Sequence, residues 1–181
     1  MKEILEWIKT IVVSILIAFV ITTFVTPLIV DGMSMYPTLD DHDYLILRNT
    51  HNVQKGDIIS FSSNLKFSPD ELENLSIFQK IKRGETKNLI KRVIAVEGDE
   101  LLIKDGQVYV NGEYLKENYI DGAYTFGDTY IEKIPKDKIF VMGDNRGNSL
   151  DSRNLGLIDL EKVQGIALIR IFPVSKIGSI E

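Results

Sequence analysis

Leu89-Ile90-Lys91-Arg92-Val93-Ile94-Ala95-Val96 is an apolar run with two cations inside it. Read as a strand, it places Lys91 with Leu89, Val93 and Ala95, and Arg92 with Ile90 and Ile94. Both faces are then apolar, which predicts a central strand of a β-sheet. A lysine on such a strand is unusual, because lysine is almost never fully buried. It either reaches solvent along its stem or has a use for being dry.

The flanks extend the β reading. Tyr44-Leu45-Ile46-Leu47 and Ile58-Ile59-Ser60-Phe61 are short β-prone runs, with Lys55-Gly56-Asp57 as a turn before the second. Asp105-Gly106 and Asn111-Gly112 bracket Gln107-Val108-Tyr109-Val110 and predict a meander from Leu101 to Leu115. Residues 116–130 are polar and read as an excursion from the sheet. Lys138–Met142 and Gly165–Phe172 are further strands, the second stopped by Pro173. The span 62–87 has a different texture and is expected to be an insertion. Within it Ser68-Pro69-Asp70-Glu71 caps an amphipathic helix carrying Leu72, Leu75, Phe78 and Ile81, and Gly84 ends it.

Upstream, no charge occurs between Lys9 and Asp31. About 20 apolar residues suffice to cross a bilayer core, so one transmembrane helix is expected from near Thr10 to near Thr26, with Pro27 at its exit. A cleaved leader fits poorly, since no small-x-small pair follows the run. Lys2 and Lys9 precede the span and aspartates follow it, which favours a cytoplasmic N-terminus. The expected class is mainly β. Residues 1–27 form a cytoplasmic tip and transmembrane helix, and 28–181 an extracytoplasmic antiparallel β domain with a short inserted helix.

The chain has 181 residues, no cysteine and a formal net charge of −5. Thiol chemistry and disulfides are excluded. Mild acidity without a dense Lys/Arg run argues against nucleic acid as a partner. His42 and His51 are too few and too isolated to suggest a metal site, and no cofactor is expected.

The chemistry gathers at three places. Gly32-Met33-Ser34-Met35-Tyr36-Pro37-Thr38-Leu39 follows the apolar run; Pro37 stiffens it, and the segment can present the Ser34 hydroxyl on rigid backbone. A serine needs a base. His42 or His51 could serve in a Ser-His-Asp arrangement; a neutral Lys91 could serve as well. Gly143-Asp144-Asn145-Arg146-Gly147-Asn148-Ser149-Leu150-Asp151-Ser152-Arg153 is too polar for core. Its Ser149 and Ser152 could orient an amine, and Asp144, Asp151, Arg146 and Arg153 read as a salt-bridged scaffold.

Ser34-Met35-Tyr36-Pro37-Thr38, Lys91-Arg92-Val93-Ile94 and the Gly143–Arg153 run, in this order behind one membrane span, resemble the signature boxes of bacterial type I signal peptidases. The short, single-span Gram-positive form is the nearest pattern. The resemblance covers nearly the whole chain. It implies a membrane-bound Ser–Lys endopeptidase that removes signal peptides from exported preproteins at the outer face of the cell membrane, and no metal. By position, Ser34 is the nucleophile and Lys91 the general base. Ser149 would hydrogen-bond the lysine amine, with Asp144, Arg146, Asp151 and Arg153 as support. The Ser34 N–H would form part of the oxyanion hole. Leu28, Val30, Asp31 and Ile90 would shape shallow pockets for small residues near the cut. The enzyme is expected to act as a monomer in contact with the bilayer.

Position 32 departs from the Gram-negative pattern, where a serine hydroxyl adds a second oxyanion donor. Gly147 replaces a common aspartate. Lysine at 91, not histidine, separates the chain from the endoplasmic-reticulum form. Two rival readings are a self-cleaving repressor of the same Ser–Lys fold, which would need a DNA-binding domain in place of the span, and an inactive membrane-anchored binding module, which would be expected to have lost Ser34 or Lys91.

Overall fold

The computed structural model describes residues 2–68, 86–120, 122 and 124–180. Helix α1 (Lys2–Phe24) leads into strand β1 (Val25–Ile29). The helix therefore ends before Pro27, the expected exit. Pro27 sits inside β1, which pairs only with β2 (Tyr44–Arg48) at the edge of the main sheet. An edge strand is where proline's missing N–H is tolerated. In α1 the stretch Glu6–Phe24 is long and apolar enough to span a bilayer, with mean hydropathy 2.1 and none of it buried against the protein.

Among the described residues the remaining strands and α-helix are β3 (Ile58–Lys66), β4 (Thr86–Ala95), β5 (Leu101–Lys104), β6 (Gln107–Val110), β7 (Glu113–Tyr114), β8 (Thr129–Ile131), β9 (Lys138–Met142), the single helical turn α2 (Ser152–Leu155), β10 (Ile158–Asp159), β11 (Val163–Phe172) and β12 (Gly178–Ser179). The main sheet runs β1-β2-β11-β3-β4-β9-β10, with β12 added to β11; a smaller sheet runs β7-β6-β5-β8. Every pairing is antiparallel. The mainly β reading holds, including the meander.

Two local expectations change. The ends of the 62–87 segment belong to the β3–β4 hairpin, where Ser62 pairs Asn88 and Lys66 pairs Thr86. The helix predicted after Ser68 lies outside the described residues. The 116–130 excursion returns as β8, whose Tyr130 pairs Leu102.

Strand β4 is the hub. Leu89 and Val93 pack with Ile59, Phe61, Val141 and Val163. Ile90 packs with Val30, Met35, Leu39 and Leu45. Ile94 and Ala95 both join the core under the smaller sheet, with Leu101, Ile103, Val108 and Phe140. Strict alternation would have grouped Ala95 with Lys91. A register shift between Val93 and Ala95 against β9 breaks it.

Candidate active site

Ser34 lies in a turn held from both sides. Met35 and Leu39 are fully buried beneath it, and the Leu39 N–H donates to the Met35 carbonyl at 2.9 Å. Gly32 adopts φ +86°, a conformation that side-chain-bearing residues avoid, and its N–H donates to Asp41 Oδ1 at 2.7 Å. The turn therefore presents Ser34 on backbone that two core side chains and one carboxylate restrain.

Lys91 comes from β4, where it faces Ile59 of β3 in register. Its Nζ donates to Ser34 Oγ at 2.7 Å and to the Ile90 carbonyl at 2.7 Å. The residue is only 2% exposed. Burial pushes the amine down from its ordinary 10.5 to about 8, against the opposing fields of Asp151 and Asp144. Among the described residues no carboxylate reaches ion-pair distance of it.

The neighbouring cations are treated differently. Arg92 forks onto Asp144, with Nε to Oδ1 at 2.9 Å and Nη2 to Oδ2 at 2.8 Å. Thr38 Oγ1 donates to the same Asp144 oxygen, which ties the Ser34 turn to β4. Arg153 forks back onto Asp151, which also accepts the Gly143 N–H at 3.0 Å. Burial alone would raise the Asp151 carboxyl, but these donors outweigh it and hold it below its ordinary value. Arg146 is paired with Glu117, donates to Thr125 Oγ1 at 2.8 Å and reaches the Gly143 carbonyl at 3.1 Å. Tyr119 donates to Glu117 at 2.8 Å and lays its ring 4.0 Å from the Arg92 guanidinium.

The scaffold thus exists with other partners than expected. Asp144 serves Arg92, and Arg146 is matched by Glu117 from the excursion. Glu117, Tyr119 and Thr125 are residues that sequence reasoning missed. The only available signal was a buried arginine inside a polar motif, whose carboxylate had to come from somewhere.

Ser149 also departs from expectation. Its Oγ is buried and close enough to bias Asp151, yet meets no group at hydrogen-bond distance and angle among the described residues. The second bond of the lysine amine goes instead to the carbonyl of Ile90. Ser149 packs against Gly143 so closely that a Cβ there would lie 2.2 Å from its oxygen and 2.4 Å from the Ser34 carbonyl. Ser152 Oγ accepts the Val141 N–H at 2.9 Å and so braces β9, away from the amine.

A cleft of about 260 Å³ opens over Ser34 and Lys91. Leu28, Asp31 and Ile90 line it, together with Ile29, Ser60, Phe67, Lys87, Asn88 and Leu89. Val30 does not. The chain leaves β1 with Val30 turned into the core beside Leu39 and Leu45, and its N–H bound to the Asp43 carbonyl. Neither histidine lines the cleft. His42 is exposed and pairs with Asp41, so a Ser-His arrangement at Ser34 has no geometric basis. No group of side chains among the described residues could hold a metal.

The family model described as signal peptidase, peptidase S26, matches residues 4–172. The chain belongs to that family. It is 34% identical to signal peptidase I of Bacillus amyloliquefaciens over 97% of this chain and 92% of that protein. It is 36% identical to signal peptidase I T of Bacillus subtilis over 95% and 87% of the two chains. The crystal structure of a signal peptidase I from Enterococcus faecalis V583 is similar at 25% identity and a TM-score of 0.46, over 64% of this chain and 96% of that one. Family membership makes the chain a hydrolase, a serine peptidase of the signal peptidase I kind.

Proposed function

We propose that this chain removes signal peptides from exported preproteins, with Ser34 as nucleophile and neutral Lys91 as general base. The observation that carries the reading is the 2.7 Å contact between the Ser34 hydroxyl and a buried amine that has no carboxylate partner among the described residues. With its pKa near 8, about one amine in ten is neutral at pH 7, against roughly one in 3,000 for an ordinary lysine. Neutral Lys91 takes the Ser34 proton as Oγ attacks the scissile carbonyl. The resulting ammonium then gives the proton to the departing amine, and water regenerates Ser34 by the same route.

The fixed groups divide the supporting work. The Arg92–Asp144 pair and Thr38 hold β4 and the Ser34 turn in one frame. The Arg153–Asp151 pair holds Gly143, whose missing side chain lets Ser149 and the Ser34 carbonyl approach. Leu28 and Ile90 offer apolar walls to small residues next to the cut. Helix α1 anchors the enzyme in the cell membrane with its N-terminus in the cytoplasm. Residues 28–181 act as one extracytoplasmic catalytic unit, and a single copy suffices.

The test is Ser34→Ala in the full chain, assayed on a preprotein. A loss of about three orders of magnitude or more is expected, equivalent to roughly 4 kcal/mol of barrier. Near-normal processing by the alanine variant would overturn the mechanism.

A further inference from the structure

Asn145 donates to both peptide units that flank the Ser34 Cα. Its backbone N–H binds the Ser34 carbonyl at 3.1 Å. Its side-chain amide Nδ2 binds the Met33 carbonyl at 3.0 Å. That carbonyl also accepts the Tyr36 N–H at 3.2 Å.

The Met33 carbonyl and the Ser34 N–H belong to one planar trans peptide and point in opposite directions. Holding one end of that plane aims the other. Hydrogen bonds accepted by the carbonyl also polarise the N–H across the amide and make it a better donor. Among the described residues nothing accepts from the Ser34 N–H. The next candidate donor is already committed, since the Gly32 N–H is bound to Asp41 and residue 32 has no hydroxyl. Charge that develops on the scissile oxygen beside Ser34 therefore depends heavily on this one N–H.

We propose that Asn145 is a positioning residue for the oxyanion, aiming and polarising the Ser34 N–H from the far side of the same peptide. The inference rests on Ser34 being the nucleophile. Asn145 touches neither substrate nor base. Its effect is confined to the state in which the carbonyl oxygen carries charge, so it acts on turnover and not on substrate affinity.

The experiment uses the full chain in detergent micelles and a synthetic peptide spanning a cleavage site with small residues before the cut. Asn145→Ala is expected to lower kcat about tenfold or more, while KM stays within about twofold. A peptide aldehyde of the same sequence gives the sharper readout. Its adduct forms a bond from Ser34 Oγ to the aldehyde carbon, the hydroxyl proton passes to Lys91, and the former carbonyl oxygen becomes an oxyanion. Its affinity should fall by the same factor as kcat, whereas the product peptide with its free carboxylate should bind as before. Asn145→Asp is the second variant. It keeps the size and turns an acceptor toward the Met33 carbonyl, so it should be at least as impaired, with melting temperatures reporting that both variants are folded. Turnover within twofold of wild type in both variants overturns the proposal. So does a loss of kcat with unchanged aldehyde affinity, which would make Asn145 a loop brace only. If Ser34→Ala still cleaves, the reading of the site fails first, and the two failures are distinguishable.

Discussion

Lys91 and Arg92 are adjacent on β4 and about equally buried, yet they sit in opposite electrostatic settings. Arg92 meets a carboxylate fork, a backbone carbonyl and an aromatic face. Lys91 meets one hydroxyl and one carbonyl. The same contrast extends outward, because Arg146 and Arg153 each have a buried carboxylate of their own. Three permanently charged guanidiniums are neutralised, while Lys91, which can shed its proton, has no carboxylate at ion-pair distance among the described residues. A buried charge is costly unless it is paired or discharged. Here the arginines take the first route, and the lysine is shifted toward the second by a pKa lowered to about 8. The nearby aspartates are spent on arginines, so their fields only partly oppose the drop in the lysine's pKa.

The largest break in this contrast is Lys91→Met. Activity should fall by about three orders of magnitude or more, because Lys91 is the amine hydrogen-bonded to Ser34 among the described residues. Stability should move the other way. The folded pKa of about 8 lies below the ordinary 10.5, so between these values the unfolded chain binds more protons than the folded one. The penalty is absent above about pH 10.5, grows as pH falls, and is complete below about 8, where it reaches about 3 kcal/mol. Thermal melts should show the methionine protein as stable or more stable at pH 7, with the advantage vanishing toward pH 10.5. In wild type, kcat/KM should climb with pH along a limb whose midpoint lies near 8 and level off above it. A methionine variant that melts far lower would identify Lys91 as a charged structural residue.

Asp144→Asn attacks the other side of the comparison. It strips the carboxylate from Arg92 and should cost about 3 to 5 kcal/mol of stability, less what the remaining amide oxygen recovers. It also removes one of the two fields that raise the lysine pKa, so the rising limb of kcat/KM should shift to lower pH. Unfolding curves and a pH–rate profile on one sample check both. A limb that moves upward would contradict the claim that the Asp144 field raises the lysine pKa.

Tyr119 is the smallest lever. Tyr119→Phe keeps the ring over Arg92 and loses only the bond to Glu117, so about 1 kcal/mol is expected. Tyr119→Leu also loses the cation–aromatic contact and should cost about 1 kcal/mol more. Equal melting temperatures for the two variants would show that the ring contributes nothing to holding Arg92.

Much of this was legible beforehand because it is local. The apolar run around Lys91, the Asp-Gly and Asn-Gly dipeptides and the uncharged N-terminal span carry their meaning within a few residues. The misreadings at the site involve long range. Val30 sits one residue past β1, and only the path of the following turn aims it at Leu39 and Leu45. Ser149 has the right type and place in its motif, but which acceptor it meets depends on how close Gly143 lies. Arg146 was expected within a scaffold built from its own motif, and its carboxylate proved to be Glu117, in a segment read as a plain excursion.

By itself the sequence determined which groups could do chemistry: one serine on a proline-stiffened turn, one lysine on an apolar strand, and a span to hold them at a bilayer. Residue type and local pattern decide such things, since they follow from covalent structure and short-range periodicity. Only the tertiary structure decided which cation would be paired. Coulomb energy and desolvation depend on distances of a few ångströms between residues far apart in the chain. Sheet register and the packing of β4 against the Ser34 turn set those distances, and they place Asp144 against Arg92 while leaving Lys91 to Ser34 and the Ile90 carbonyl.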